Sequence, residues 1–207
     1  MKALLRQTVG LVFAFAAAAA SAETYYLTDS NTASIPDGNE YASVTLVQVG
    51  TNVQFTVDPN DALFTSTGPN FGVATFAFNT DVSLVLANIN VSSPTQGANY
   101  PSNFQTDNNA DGFGTFSYQF DVSPNGNPLV FTVPGLLASF LPPNDDTNWF
   151  AAHIIDFTYT GATGVTSAWF AGSGKGGQTE IPLPGAVWLF GSALLGLLAV
   201  GRRRQAA

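Results

Sequence analysis

Alternation between apolar and polar residues is the feature that most restricts the fold of this chain. Val53–Asp58 and Phe116–Asp121 place every second side chain on one apolar face, as half-buried strands do. Other β-branched or aromatic runs occur at Ala42–Val49, Phe71–Phe78, Val82–Val91, Leu129–Val133, Phe150–Tyr159 and Val165–Ala171. Turn-forming residues separate these runs, among them those at 67–70 and 123–127. The pattern predicts an all-β domain of about eight or nine strands, an antiparallel β-sandwich that is jelly-roll-like.

The absence of cysteine limits both how the domain is stabilised and what chemistry it performs. The chain contains no cysteine and 17 phenylalanines among its 207 residues. Disulfides, thiolate nucleophiles and cysteine-ligated zinc are therefore excluded. We expect the sandwich to be stabilised by its hydrophobic core alone.

The N-terminus has the pattern of a signal peptide, residues 1–22. Lys2 and Arg6 form a positive region, Val9–Ala20 an apolar region, and Ala20–Ala22 a small-residue cleavage site. An uncleaved membrane anchor is the alternative, but the apolar run is short for a membrane span. Cleavage by signal peptidase is expected to leave Glu23 as the first residue.

Near the C-terminus, an apolar run precedes a basic cluster. The run at 185–201 would form a helix about 25 Å long, close to the thickness of a bilayer core. Arg202, Arg203 and Arg204 follow it, which predicts a cytoplasmic C-terminus and a globular part outside the inner membrane. A buried core helix is the alternative, but no polar residue interrupts the run other than Ser192.

A short proline motif, Ile181-Pro182-Leu183-Pro184, stands directly before this helix. Together with Ala186–Ser192, Leu194–Leu197 and the three arginines, the tail at 181–207 resembles the PEP-CTERM sorting signal of Gram-negative bacteria, in its Val-Pro-Leu-Pro variant. Ile181 stands where that variant has valine. The resemblance implies recognition by an exosortase, removal of the helix, and delivery to the cell surface or the extracellular polysaccharide matrix.

Several fragments of the body also resemble small PEP-CTERM proteins of undetermined function. They are Val44–Val53, Phe76–Asn79, Asp111–Phe116 and Phe150–Ile154. This second resemblance implies a β-sandwich body and brings no activity with it.

Between the two ends, we expect a sandwich domain at 23–171 and a flexible glycine-rich linker at 172–180. A loop within the fold is the alternative for 172–180.

The stretch between the two ends is strongly acidic. All 14 acidic residues of the chain lie between Glu23 and Glu180, with Lys175 as the single base, which leaves a formal charge of −13 on this stretch. Such a charge disfavours nucleic acid and anionic lipid as partners. It also leaves carboxylates available to divalent cations.

The segment Asp107–Gly112 contains the best candidate for a metal site. Asp107, Asn109 and Asp111 occupy positions 1, 3 and 5 of an EF-hand-type pattern, with Gly112 at position 6. Position 12 is Tyr118 rather than glutamate, so only half of the pattern is present. Calcium binding and a plain Asx-rich turn before a strand both remain open, and Asp121 joins the site only if the fold brings it near.

Other chemical interpretations depend on what the fold brings together. His153 is the only histidine and is expected to be structural. A glycosidase pair would need Asp145 or Asp146 close to Asp156 or Glu40. Aromatic side chains would stack on sugars if they are exposed, and the candidates are Tyr25, Tyr26, Tyr100, Trp149 and Trp169.

We therefore expect a non-enzymatic protein of the cell surface or extracellular matrix, linked to exopolysaccharide. The first alternative is a carbohydrate-binding module, with or without calcium. The second is a hydrolase that acts on matrix polymers.

Overall fold

The computed structural model describes residues 22–93, 102–136, 138 and 141–172. These residues form two three-residue 3-10 helices, Asp61–Leu63 and Leu86–Asn88, and eleven strands. The strands are β1 (Ala22–Leu27), β2 (Asp29–Ser30), β3 (Ala42–Val49), β4 (Asn52–Pro59), β5 (Ser66–Phe78), β6 (Asn90–Ser93), β7 (Ser102–Asn109), β8 (Thr115–Gly126), β9 (Leu129–Val133), β10 (Phe150–Thr158) and β11 (Ser167–Gly172).

The strands form two antiparallel sheets that pack face to face. The five-stranded sheet has the order β1-β3-β4-β9-β6, and the six-stranded sheet has the order β2-β11-β10-β5-β8-β7. The chain passes from one sheet to the other between β1 and β2, where the Thr28 amide donates to the Ala171 carbonyl at 2.8 Å. The prediction of an all-β sandwich is thereby confirmed.

Phenylalanines from both sheets fill the space between them. Phe55 of β4 stacks on Phe131 of β9 at 4.5 Å between ring centroids. On the other side, its ring meets Phe76, Phe78 and Phe150 of the six-stranded sheet. All five side chains are fully buried. Their alternation with outward-facing polar residues is what assigns one face of each strand to the core.

Strand pairing changes several local predictions. β3 and β9 have the predicted bounds, whereas Val82–Val91 was wrongly predicted to be one strand. There, the Asn88 side chain accepts the Val85 amide at 2.8 Å and a 3-10 turn forms. Turn signals at 67–70 and 123–127 were also misleading, since β5 begins at Ser66 and β8 continues to Gly126. Pairing with neighbouring strands outweighs turn propensity at both places.

The predicted signal peptide, linker and sorting tail fall almost entirely outside the described residues. Ala22, the last residue of the predicted signal peptide, begins β1, and Gly172, the first residue of the predicted linker, ends β11. Among the described residues, no helix is long and apolar enough to cross a bilayer. The predicted span at 185–201 is not among them.

Candidate functional site

The outer face of the six-stranded sheet presents a row of side chains from four neighbouring strands. The register pairs Trp169 of β11 with His153 of β10, His153 with Thr75 of β5, and Thr75 with Asp121 of β8. We call these four residues the polar row. Each lies next in sequence to a core residue of the same strand, so strand alternation turns the row away from the core.

Direct contacts fix the geometry of the polar row. The His153 imidazole and the Trp169 indole stack with centroids 5.2 Å apart and 14° between their planes. The Thr75 hydroxyl donates to Asp121 Oδ1 at 2.9 Å, and Asn103 Nδ2 of β7 donates to Asp121 Oδ2 at 2.8 Å. Both oxygens of this carboxylate are therefore held in place by neighbouring side chains.

Burial and nearby carboxylates act in opposite directions on the imidazole of the polar row. Burial lowers the pKa of His153, and the nearby carboxylates of Asp111 and Asp121 oppose that shift only in part. The sequence from 22 to 172 holds thirteen acidic residues and no lysine or arginine. The field around the row is consequently negative.

Two amide side chains beside the polar row lack a hydrogen-bond partner for one atom each. Gln119 of β8 is 7 % exposed and Asn79, one residue after β5, is 6 % exposed. Gln119 Oε1 and Asn79 Nδ2 find no partner among the described residues. Asn79 Oδ1, in contrast, accepts the Ser117 amide at 2.7 Å. One unpaired acceptor and one unpaired donor thus lie on the same sheet face, because Asn79 is in phase with Thr75 and Gln119 is in phase with Asp121.

A turn from the neighbouring strands forms a wall beside the row. Cross-strand partners Ala77, Ala151 and Ala171 are fully buried beneath Phe113 and Phe116. Trp169 packs against the same cluster. The small side chains let the turn between β7 and β8 lie close to the sheet, and this leaves the polar row bordered on one side by an apolar wall.

The candidate calcium residues do not form one continuous loop. Asp107 and Asn109 belong to the end of strand β7, while Asp111 lies in the turn that follows. Asp111 Oδ2 accepts Asn31 Nδ2 at 3.0 Å. Asp121 lies within β8, in the polar row. Within the described residues there is no group of three or more acidic or histidine side chains arranged to hold a metal ion. Calcium binding, which would also use amide oxygens, stays a prediction.

The aromatic candidates for sugar stacking have different environments. Tyr25 is 2 % exposed and packs against Phe150 in the core, so it is not available for stacking. Trp149 is half-buried against the Tyr25 ring at 5.2 Å. Tyr26 and Trp169 are partly exposed, and Tyr100 lies outside the described residues. Trp169 adjoins the hydrogen-bonding side chains of the polar row, and Tyr26 pairs across the strands with Ser43 on the five-stranded sheet.

The acidic residues considered as a glycosidase pair are held apart. Asp146 precedes β10 and lies against Gly114, whereas Asp156 near the other end of β10 accepts the Asn70 amide at 2.7 Å. Six strand residues span about 20 Å. A pair of catalytic carboxylates needs a separation of about 5–9.5 Å. Asp145 adjoins Asp146, so neither residue of the 142–146 loop meets Asp156.

Glu40 instead belongs to an acidic cavity of about 390 Å³ beside the five-stranded sheet. Asp58 lies in the wall of this cavity, and its pKa is raised mainly by partial burial and to a smaller extent by the Asp61 carboxylate. Its polar and aromatic lining comprises Tyr26, Glu40, Ser43, Asp58, Asn60 and Asp61. The cavity has an aromatic ring and several acceptors, but no described side chain in it is both deeply buried and unpaired.

The predicted sorting residues lie outside the described part of the chain. This applies to Ile181, Pro182, Leu183 and Pro184, and to Arg202, Arg203 and Arg204.

The chain matches no protein-family model, no curated protein and no solved structure.

Sequence reasoning missed Thr75 and Gln119 as site residues. A usable signal existed for Gln119, since alternation in Phe116–Asp121 places it on the face opposite Tyr118 and Phe120. Nothing in the sequence indicated that His153 and Trp169 would be register partners.

Proposed function

We propose that the chain is an exported, non-enzymatic protein of the bacterial cell surface or extracellular matrix that associates with exopolysaccharide. An exosortase sorts it and removes its tail, after a transient stage in the inner membrane. The observation that carries the proposal is the order of proline motif, membrane-length apolar run and terminal arginines from Ile181 to Arg204. A jelly-roll-like path for the sandwich belongs to the same proposal.

The proposed cuts leave the described core intact. All buried residues of the described part of the chain lie between Tyr25 and Gly172. Cleavage before Glu23 would remove only Ala22 from β1, and a cut at the proline motif lies beyond Gly172.

The processing step is tested by expressing the full chain in a Gram-negative host with and without an exosortase. We expect a mature protein that starts at Glu23, lacks the helix, and leaves the inner membrane only when the exosortase is present. Intact mass is the measurement of choice, because trypsin has no cleavage site between residues 22 and 172. Glu-specific digestion then locates the ends.

The matched control replaces Pro182 and Pro184 with alanine and leaves the helix and arginines unchanged. This variant should remain in the inner membrane at full length. An intact wild-type tail in that membrane, with an active exosortase beside it, would contradict the proposal.

A second candidate function is carbohydrate binding, and the polar row favours it. A partly exposed indole beside amide and carboxylate groups is the combination that holds sugar rings. A glycan array run with and without Ca²⁺ tests this function. Binding that requires Ca²⁺ and is lost in Asp111→Asn would assign the cation to the segment at 107–111, whereas calcium-independent binding would leave that segment a structural turn.

A further inference from the structure

We propose that two copies of this protein associate through the outer face of the five-stranded sheet. Strand alternation turns two neighbouring cross-strand rows on this face away from the core. One row is Thr24, Thr45 and Thr56, and the next is Val47, Gln54 and Thr132. We call these six residues the neutral face. Such association does not depend on the proposed sorting route, and it adds a partner that the proposed function does not name.

The neutral face is open to solvent and carries no charged side chain. All six of its side chains are partly exposed, and each lies next in sequence to a buried core residue of the same strand. The hydroxyls of Thr24 and Thr45 bond to each other at 3.2 Å. Threonine and valine supply methyl groups, while the hydroxyls and the Gln54 amide supply donors and acceptors. The surface can therefore pack and form hydrogen bonds with another sheet face.

Charge identifies a second copy as the occupant. Residues 22–172 contain thirteen acidic side chains and no lysine or arginine, so two copies repel each other over most of their surface. Asp121 lies on the outer face of the six-stranded sheet, and Asp58, two residues after Thr56, borders the neutral face. Two neutral faces can meet without bringing these carboxylates into direct contact. A basic partner would be attracted to the acidic surfaces instead.

The neutral face is centred on a strand that suits two-fold symmetry. Copies of one chain most often associate about a two-fold axis, which places the same patch of each copy face to face. Gln54 and Thr56 belong to β4, the middle strand of the five. An axis through the centre of the sheet therefore places β4 of one copy opposite β4 of the other.

The size of the face predicts a weak and reversible dimer. Five strands about 4.8 Å apart and four to eight residues long give each copy a face of about 500 Å². Two such faces bury about 1,000 Å², at the low end for protein complexes. Interfaces of about 1,600 Å² have dissociation constants from µM to pM, so we expect a constant weaker than about 1 µM. Salt screens the repulsion between the acidic surfaces, so association should strengthen as ionic strength rises.

Sedimentation velocity of the protein purified from an exporting host tests this association over a range of concentrations and salt. A mild detergent is included, so that a retained apolar C-terminal run does not itself cause association. We expect a monomer–dimer equilibrium whose dissociation constant falls with added salt. Gln54→Glu, which keeps the size of the side chain, and Gln54→Lys should each weaken the dimer about tenfold or more, because like charges then oppose each other. An equimolar mixture of the two variants should form the dimer again, since opposite charges then meet.

Matched controls place the same charges elsewhere. Thr163→Glu and Thr163→Lys, in the exposed turn between β10 and β11, should leave the dissociation constant close to that of wild type. Thr56→Val, an uncharged replacement on the neutral face, should retain the dimer. Melting temperatures are measured in parallel, and Thr132→Lys on β9 repeats the test if either Gln54 variant melts earlier than wild type.

A protein that stays monomeric in high salt at millimolar concentration overturns the proposal. So does a dimer that is equally strong in both Gln54 variants, because the contact then lies elsewhere, for example at a sheet edge. A monomer whose retention by exopolysaccharide is lost in Gln54→Glu would assign the neutral face to the polymer and also overturn the dimer. None of these results depends on whether an exosortase removes the tail, so the sorting proposal is tested separately.

Discussion

Replacing Phe55 with alanine should remove a central aromatic contact between the two sheets. The side chain is 0 % exposed, and its ring has four aromatic neighbours at 4.5–6.3 Å between centroids. Core Phe→Ala substitutions lower the free energy of unfolding by about 3–5 kcal/mol. Each ring pair adds about 0.5–1.5 kcal/mol beyond the buried area. We therefore expect a loss of about 4–5 kcal/mol, at the upper end of that range.

Urea unfolding of the purified protein, followed by tryptophan fluorescence, measures this loss. The midpoint should fall with an unchanged m-value, and the melting temperature should drop by about 8–20 °C for a domain of this size. Val49→Ala, at a side chain 55 % exposed, is the control and should change stability by less than about 0.5 kcal/mol. A loss below about 1.5 kcal/mol in Phe55→Ala would refute the view that the sheets pack through this ring.

Three further substitutions test the local chemistry. Asp58→Asn should stabilise the protein at neutral pH, because the raised pKa of Asp58 means that its ionised form is unfavourable in the folded state. The gain should be less than about 1 kcal/mol, since solvent screens this exposed side chain, and it should vanish in thermal melts below about pH 4. The lowered pKa of His153 means that the folded state binds this proton less tightly than the unfolded state, so the wild-type protein should lose stability as the pH falls through about 6.5. His153→Gln should not show this loss, and equal slopes of unfolding free energy against pH for the two proteins would contradict the prediction. Gly114→Ala should lower the free energy of unfolding, measured in urea, by about 2 kcal/mol or more, because its φ is +84° and a Cβ would clash with Asp146 Oδ2. Gly38→Ala is the control for the backbone component, since Gly38 has φ +93° and no described atom within 4 Å of an added Cβ.

Periodicity was sufficient to predict the fold class, but not the ends of the sandwich. β3, β4 and β9 alternate and have turns at their boundaries, so local sequence determines them. β7 is almost entirely polar, since it lies at a sheet edge and buries little. A pattern search based on apolar residues therefore passes over it. β2 has only two residues and exists through its bonding to β11, which no local signal reports.

The candidate site was less predictable because it depends on register. Trp169 was considered for sugar stacking and His153 was treated separately, although 16 positions apart they are direct cross-strand partners. Strand register follows from the core pattern and from bulges, such as the shift between Val73 and Thr75, that a single sequence does not reveal. Whether Gln119 Oε1 has a hydrogen-bond partner depends on which strands pack around it, and the sequence alone does not show this.

Strand β1 has a consequence for self-association of the sandwich. It pairs with β3 along its whole length, from Ala22 to Leu27, and so covers one edge of the five-stranded sheet. The proposed signal-peptidase cleavage before Glu23 would remove only Ala22 from this pairing. Cleavage after Leu27 would remove the buried side chains of Tyr25 and Leu27 and leave β3 with unpaired backbone groups. Such an edge is a template for intermolecular pairing, so N-terminal trimming past Leu27 would promote self-association of the sandwich.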